Sequence, residues 1–514
     1  MNFQPEFQFL RGFVEENPTY TPLRIKKYQG KMLIEALPKI WTVDEFLNDV
    51  TFTVEHDPEK ERQLEVDERI HITTNAFEFY TPMSRDIKLQ RKLSRLLRHG
   101  YIGRDPLSVH WRETTDKIKK VIDKSIKKPE ELDLRQLQQT IASLRSSSRV
   151  ITLLGVGGIG KTTALNHIIS LYPQIINHSE YNNQKIQHRQ LVWLKIDCPH
   201  DGSIRQMCLS FLYIVDSLLK TSYFKIYGKN GRATKIGAAL GMAVVVAQHS
   251  LGVLIIDEFQ NLLDARGGED KQLINFLVNI INLLNVPMIF TGTPKAGQLL
   301  IQDFRIARRM AGDGELNWTR YKEDDPDWIR LINSMWKYQY TKYYVPLTPE
   351  MQKTIYYVSQ GVIDIAVKVF VAAQDRAIEN GNELFTTVTI ESVMRDEMTR
   401  VNSVLDLVRA GNEAALEILG DIDLIDMATL FKNAQDDIIQ RQMAAKLRTE
   451  KKIKNTKGKR RARRRKDADY SPASLMGIVL SNKKSGINGY EALDKVGYIK
   501  SPGEFWLEGN YPWT

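Results

Sequence analysis

Gly155-Val156-Gly157-Gly158-Ile159-Gly160-Lys161-Thr162 sets glycines, one lysine and one hydroxyl at the spacing G-x-x-x-x-G-K-[ST]. Each fixed position serves phosphate chemistry. Glycines let backbone N–H groups converge on phosphate oxygens, the following helix N-terminus favours negative charge, Lys161 reaches the β- and γ-phosphates, and Thr162 Oγ ligates Mg²⁺. The expected ligand is ATP with Mg²⁺, held by Gly155, Gly157, Gly158, Ile159, Gly160, Lys161, Thr162 and Thr163. Context agrees: Val150–Leu154 reads as a buried strand, and Leu165, Ile168, Ile169 and Tyr172 recur at helical spacing after the loop.

A second cluster lies about a hundred residues downstream, where the apolar run Val253-Leu254-Ile255-Ile256 ends in Asp257-Glu258. A parallel strand would bring those acids beside the phosphate loop, so Asp257 joins Thr162 as a metal ligand and Glu258 polarises the attacking water. The next strand ends in Thr291-Gly292-Thr293, and Thr291 is the favoured sensor of the γ-phosphate. Arg305, Arg308 and Arg309 cluster further on. A guanidinium from a neighbouring subunit can stabilise spread phosphoryl charge, which makes Arg305 and Arg309 finger candidates; the alternative is a solvated or DNA-facing basic helix turn, and only the finger reading requires an oligomer. Lys225, Lys229, Arg232 and Lys235, interleaved with Tyr223, Phe224 and Tyr227, suit contact with a nucleic-acid backbone, although an ordinary exposed loop reads the same way.

Positioning these groups takes an α/β frame. Strands expected at 150–154, 191–197, 253–256 and 286–291 alternate with helices at about 162–172, 203–220, 234–249 and 270–284, the pattern of a parallel sheet covered on both faces. Residues 1–110 read as an N-terminal extension for partner binding, 111–325 as the α/β core, 326–410 as a helical lid, and 411–514 as a tail contacting DNA or a partner. The apolar stretch from Gly237 to Ile256 is interrupted by Gln248-His249-Ser250, so a buried helix and strand fit better than a membrane span.

The 514 residues carry 72 basic and 62 acidic side chains, a net charge of +10. Eleven of the basic residues and no acid lie in 451–466, so the rest of the chain is one unit negative. That run reads as disordered, either a solvated tail or a nonspecific nucleic-acid arm. Two cysteines exclude a disulfide scaffold, and the first residues lack a secretory pattern, so the expected location is the cytoplasm.

Taken in order, these residues resemble TnsC, the AAA+ regulator of transposons that move with a TnsA/TnsB transposase, and more distantly TniB, IstB and MuB. The resemblance spans about 100–400. It rests on Gly100-Tyr101-Ile102-Gly103-Arg104-Asp105-Pro106, the stretch Lys195 to Ser203, Ile255-Ile256-Asp257-Glu258-Phe259-Gln260, Gly292-Thr293-Pro294-Lys295-Ala296, Arg305 to Arg309, and Ser359-Gln360-Gly361-Val362-Ile363-Asp364-Ile365. It implies an AAA+ P-loop NTPase fold with a parallel sheet core, a helical lid, an N-terminal extension and a partly disordered basic tail. It also implies an ATP-dependent matchmaker that assembles as a ring or filament on double-stranded DNA without sequence preference. A TnsD/TniQ or TnsE-type targeting protein would feed it, and TnsA/TnsB would be recruited by it. Gly103 and Arg104 become adenine-contact candidates by that resemblance. The lid departs from the family pattern, since Gly361-Val362-Ile363-Asp364 offers no sensing arginine and leaves Lys368 as a substitute. The competing class is a DNA-independent P-loop signalling NTPase or kinase. The Asp257-Glu258 pair speaks against a kinase, which needs a carboxylate placed for a substrate hydroxyl.

Overall fold

Five short parallel strands carry the site, and their order explains how residues a hundred positions apart meet. The computed structural model describes residues 13–127, 149–199, 203–264, 286–296 and 314–412, with Asn488 and Leu493 besides. Strands β1 (Val14–Glu16), β2 (Val150–Gly155), β3 (Ile175–Tyr181), β4 (Gln184–Leu191), β5 (Trp193–Asp197), β6 (Val253–Asp257), β7 (Met288–Gly292) and β8 (Glu315–Trp318) form two sheets. The larger has the order β5-β6-β7-β2-β8, and the smaller the order β1-β3-β4. All four pairings in the larger sheet are parallel. Strand β7 therefore separates the strand before the phosphate loop from the strand before the acid pair.

Among the described residues, the helices of eight residues or more are α1 (Val43–Val50), α2 (Val66–Thr73), α3 (Ser84–Tyr101), α4 (Val109–Lys127), α5 (Lys161–Ser170), α6 (Ile204–Leu219), α7 (Lys235–Gln248), α8 (Pro326–Met335), α9 (Pro349–Ser359), α10 (Ile363–Glu379), α11 (Thr387–Asp396) and α12 (Thr399–Arg409). Capping sets several starts. Ser203 and Thr234 accept backbone N–H groups at the heads of α6 and α7, and Thr348 does so for α9, whose first residue is proline.

Helix α7 is buried along its length from Ala238 to Ala247. Its small side chains permit close approach: a Cβ on Gly241 would lie 2.5 Å from the Cβ of Tyr227. The stretch from Gly237 to Ile256 is thus a core helix and the core strand β6, and no single helix among the described residues is long and apolar enough to cross a membrane.

One apolar cluster covers the sheet face under α4, α6 and α7. The other runs without a break from Tyr28 and Leu33 through α3 and α5 into the lid helices. The N-terminal segment accordingly shares its core with the nucleotide-binding half and the lid, and all of these elements lie in one compact unit, Met1–Met427. Several elements went unread in the sequence, helices α1 to α4 and strand β1 among them. The β3-β4 hairpin is half polar, and its inner side is held by Tyr181 donating to the buried Glu35 at 2.8 Å and by Gln190 donating to Leu33 O at 3.0 Å. Strand β8 has four residues and alternating exposure, too short to show a period.

Candidate nucleotide site

The phosphate loop occupies the turn from β2 into α5. Gly158 and Gly160 have φ of 70° and 89°, left-handed values that side chains resist. Gly158 is doubly constrained, because a Cβ there would lie 2.9 Å from the Cβ of Asp364 on the lid. The Asp364 backbone N–H donates to Gly158 O at 3.0 Å, so α10 rests directly on the loop. Lys161 folds back onto the loop and donates from Nζ to Gly155 O at 2.7 Å and Val156 O at 2.9 Å. Burial pulls its ammonium down to about 8, against the opposite pull of Glu258 and Asp257.

Asp257 ends β6 in a saturated setting. Its Oδ2 accepts Thr162 Oγ1 at 3.1 Å and pairs with Lys195 Nζ at 2.8 Å. Its Oδ1 accepts the Glu258 backbone N–H at 3.0 Å and the Thr291 hydroxyl. Burial pushes this carboxyl upward, but Lys195 and the donated hydrogen bonds outweigh it and hold the group below the usual carboxylate range. Glu258 follows with a left-handed φ of 52° and is more exposed than Asp257. Desolvation and the neighbouring Asp257 charge raise its pKa, while Gln260 and Lys161 oppose the rise. Gln260, which the sequence marked within the Ile255–Gln260 stretch but gave no role, donates from Nε2 to Glu258 and accepts the Thr293 backbone N–H at 3.1 Å.

A cavity of about 410 Å³ opens over these groups. Its floor includes Gly157, Gly158, Gly160, Lys161, Thr162 and Thr163, with Glu258, Gln260 and Thr293 at one side. The lid contributes Ile363, Asp364 and Val367, and the N-terminal segment contributes Phe77, Phe79, Tyr80 and Arg85. Phosphate-binding polar groups thus face an apolar and aromatic half, the composition expected of a nucleoside site. Arg85 was not legible in the sequence, where it is one of several basic residues along α3. It donates from Nη2 to Ile159 O at 2.5 Å, with its guanidinium carbon 4.3 Å from the Trp318 ring centre and 4.2 Å from that of Tyr321.

Three expectations need correction. Gly103 and Arg104 do not line the cavity; Arg104 is buried at the opposite end of the sheet, donating to Leu251 O just before β6 begins. The Gly100-Tyr101 segment packs there too: a Cβ on Gly100 would lie 2.6 Å from Pro287, and one on Gly252 would lie 2.3 Å from the Tyr101 hydroxyl. Its role is closure of the sheet base. Thr291 is buried and spends its hydroxyl on Asp257, whereas Thr293 lines the cavity. Lys368 is absent from the cavity lining and pairs with Asp364 at 2.7 Å on the lid surface.

Lys225, Lys229, Arg232 and Lys235 are all exposed, on and beside the short turns Tyr223–Ile226 and Lys229–Gly231 and at the head of α7. The interleaved aromatics point the other way. Tyr227 is buried and donates to Asp123 at 2.7 Å, Tyr223 bonds Gln248 and His249, and Phe224 packs edge-on against Tyr213. They anchor the segment and are not a stacking platform. Arg305, Arg308 and Arg309, the expected helix at 270–284 and the basic run 451–466 lie outside the described residues.

No group of three His, Cys, Asp or Glu among the described residues could hold a metal ion. The available donors, the Thr162 hydroxyl and one carboxylate, fit Mg²⁺, which takes few protein oxygens and completes its shell with phosphates and water.

Residues 144–300 match the family model described as AAA domain. With the parallel strand order and the phosphate loop, this is the AAA+ P-loop NTPase fold, and the domain is of a nucleotide-binding type. No curated protein matches the chain by sequence. Among solved structures, the Aeropyrum pernix ORC1 protein in complex with DNA is similar at 17% identity over 54% of this chain and 67% of that one, with a TM-score of 0.35. The Aeropyrum pernix ORC2 protein is similar at 12% over 51% and 66%, with a TM-score of 0.33. The Thermotoga maritima RuvB Holliday junction branch migration motor is similar at 15% over 55% and 68%, with a TM-score of 0.26.

Proposed function

We propose that this chain, built around an AAA domain, is an ATPase that uses hydrolysis of MgATP as a timer while assembled on double-stranded DNA, and that its output is target-site regulation of DNA transposition. The observation that carries the ATPase reading is the 3.1 Å hydrogen bond from Thr162 to Asp257, which ties the phosphate loop to the acid tip with Glu258 beside it. Backbone N–H groups of the loop and Lys161 would bind the phosphates. Mg²⁺, held by the Thr162 hydroxyl and the Asp257 carboxylate shell, would offset charge on the phosphate oxygens. Glu258, kept in place by Gln260, accepts the proton of the attacking water, and its raised pKa makes it a better base once ionised.

The four exposed cations beside α7 support contact with a phosphate backbone without base readout. The TnsC-like residue set supports the transposition role, in which the chain forms a ring or filament in the cytoplasm, receives a TnsD/TniQ or TnsE-type protein and recruits TnsA/TnsB. In that arrangement Arg305 or Arg309 would complete a neighbour's site.

Glu258→Gln is expected to retain ATP and DNA binding while losing roughly 10²- to 10⁴-fold in turnover. Single-turnover hydrolysis and fluorescence anisotropy with random-sequence duplex DNA check this. Undiminished turnover removes Glu258 as the base, and DNA binding indifferent to both nucleotide and salt removes the DNA-bound switch.

A further inference from the structure

The stretch Lys195 to Ser203 has no part in the chemistry above, yet its first residue reaches into the site. Lys195 stands on β5, beside β6, and its side chain is only 12% exposed. Its ammonium lies 2.8 Å from Asp257 Oδ2, 3.3 Å from Asn166 Oδ1 and 4.0 Å from Asp197 Oδ1. The Asp257 side chain is 3% exposed, so this is a desolvated pair in which each charge compensates the other. The oxygen that takes the ammonium is also the one that accepts Thr162 Oγ1. A tethered cation therefore occupies the carboxylate position where the metal's own shell would gather.

We infer that Lys195 is the resident counter-ion of Asp257 and that it makes metal binding conditional on the nucleotide. With Lys195 in place Asp257 is already neutralised, so a free divalent cation meets no net charge at that carboxylate. The triphosphate brings the additional negative charge that lets a second cation share the site. Metal then enters with ATP and not before it. This inference rests on the assignment of Thr162 and Asp257 to the metal shell.

The test is binding of a fluorescent ATP analogue to the full chain, with free Mg²⁺ titrated upward from EDTA. Lys195→Met keeps the length of the side chain and removes its charge. It is expected to lower the half-saturating Mg²⁺ concentration on the order of tenfold, by removal of a like charge a few ångströms away, while Lys195→Arg keeps the wild-type requirement. Mg²⁺ alone is expected to raise the melting temperature of Lys195→Met and to leave that of the wild type unchanged. Asn166→Ala loosens the hold on Lys195 without removing the charge and is expected to shift the Mg²⁺ requirement in the same direction by a smaller factor. An unchanged or higher requirement in Lys195→Met overturns the inference, and should that variant not fold, the same result in Asn166→Ala does so. If instead the wild-type chain binds nucleotide with no dependence on Mg²⁺, the metal assignment itself has failed, a result seen before any variant is compared.

Discussion

At the scale of single residues, the site is a set of groups whose burial has been offset one partner at a time. Lys161 shows the consequence most directly. Its nucleotide-free pKa is drawn down to about 8 by burial, and a triphosphate favours the charged form. Binding must then raise that pKa, so ATP affinity is highest below pH 8 and falls as the pH climbs through it, by up to about tenfold per unit. Titration calorimetry in buffers of different ionisation enthalpy should register uptake approaching about one proton at pH 9 and almost none at pH 7; equal uptake at both would place the titrating group elsewhere. Arg85 makes a second case. Its Nε is buried without a hydrogen-bond partner while Nη2 holds Ile159 O, so the guanidinium braces the loop and adds positive charge to the cavity. Arg85→Gln is expected to weaken ATP binding by roughly 5- to 20-fold, and Arg85→Lys to recover little, because an ammonium cannot lie flat between two rings. Full binding in either variant would reduce Arg85 to packing. The phosphate loop, Asp257 and Glu258 were legible because their spacing is fixed by phosphate geometry. The roles of Arg85, Lys195 and Gln260 were not, since a basic or amide residue on an amphipathic helix or strand end looks the same whether it faces water or a partner.

Elements were legible in proportion to their apolar period. Strands β2, β6 and β7 and helices α5, α6 and α7 came out within a few residues of expectation, because each is buried and long enough to show its pattern. The β3-β4 hairpin and β8 did not, since half of their residues face solvent or a polar neighbour. The contact that joins the N-terminal segment to the phosphate-loop helix is similarly hidden: Tyr80 stacks on His167 with ring centres 3.9 Å apart and planes 7° apart. Burial lowers the His167 pKa to about 4, so the folded chain holds it neutral while the unfolded chain would protonate it near its ordinary 6.5. Stability from this group is complete above about 6.5 and is lost as the pH falls from there toward 4. At pH 5 the loss is about 1–2 kcal/mol after allowance for partial solvent screening. His178 and His249 are lowered to about 4 by burial as well and add to the same acid sensitivity. Urea midpoints measured at pH 7 and pH 5 should drop in the wild type and drop less in His167→Gln; an identical drop would exclude His167 from the sensitive groups.

For the whole molecule, the distribution of charge and the sharing of one core matter more than net composition. The cations of the 223–235 segment stand outward because Tyr227, Tyr223 and Phe224 fasten it from within. Replacing Lys225, Lys229, Arg232 and Lys235 together by alanine is expected to leave nucleotide affinity unchanged and to reduce the slope of log affinity for duplex DNA against log salt by up to about four. An unchanged slope would assign DNA contact to the run 451–466. Because the N-terminal segment, α5 and the lid bury their apolar faces in one cluster, a ligand in the cavity touches three stretches of chain at once. The lid is pinned to the N-terminal helix α2 by the buried Arg69–Glu383 pair, 2.5 Å apart.

By itself the sequence determined the phosphate loop, the acid pair, the alternation of strand and helix and the segregation of positive charge into one run, all local patterns set by backbone geometry or composition. Tertiary structure alone decided which side chains complete the site. Strand order inserts β7 between the loop and the acids and so turns Thr291 onto Asp257, neighbouring β5 delivers Lys195 to the same carboxylate, and a shared apolar core folds Arg85 against the loop. It also moved Gly103 and Arg104 to the far end of the sheet, because Tyr101 and Gly252 fit against each other there and nowhere near a nucleotide. Such pairings depend on which surfaces meet, a non-local quantity that residue spacing along the chain does not encode.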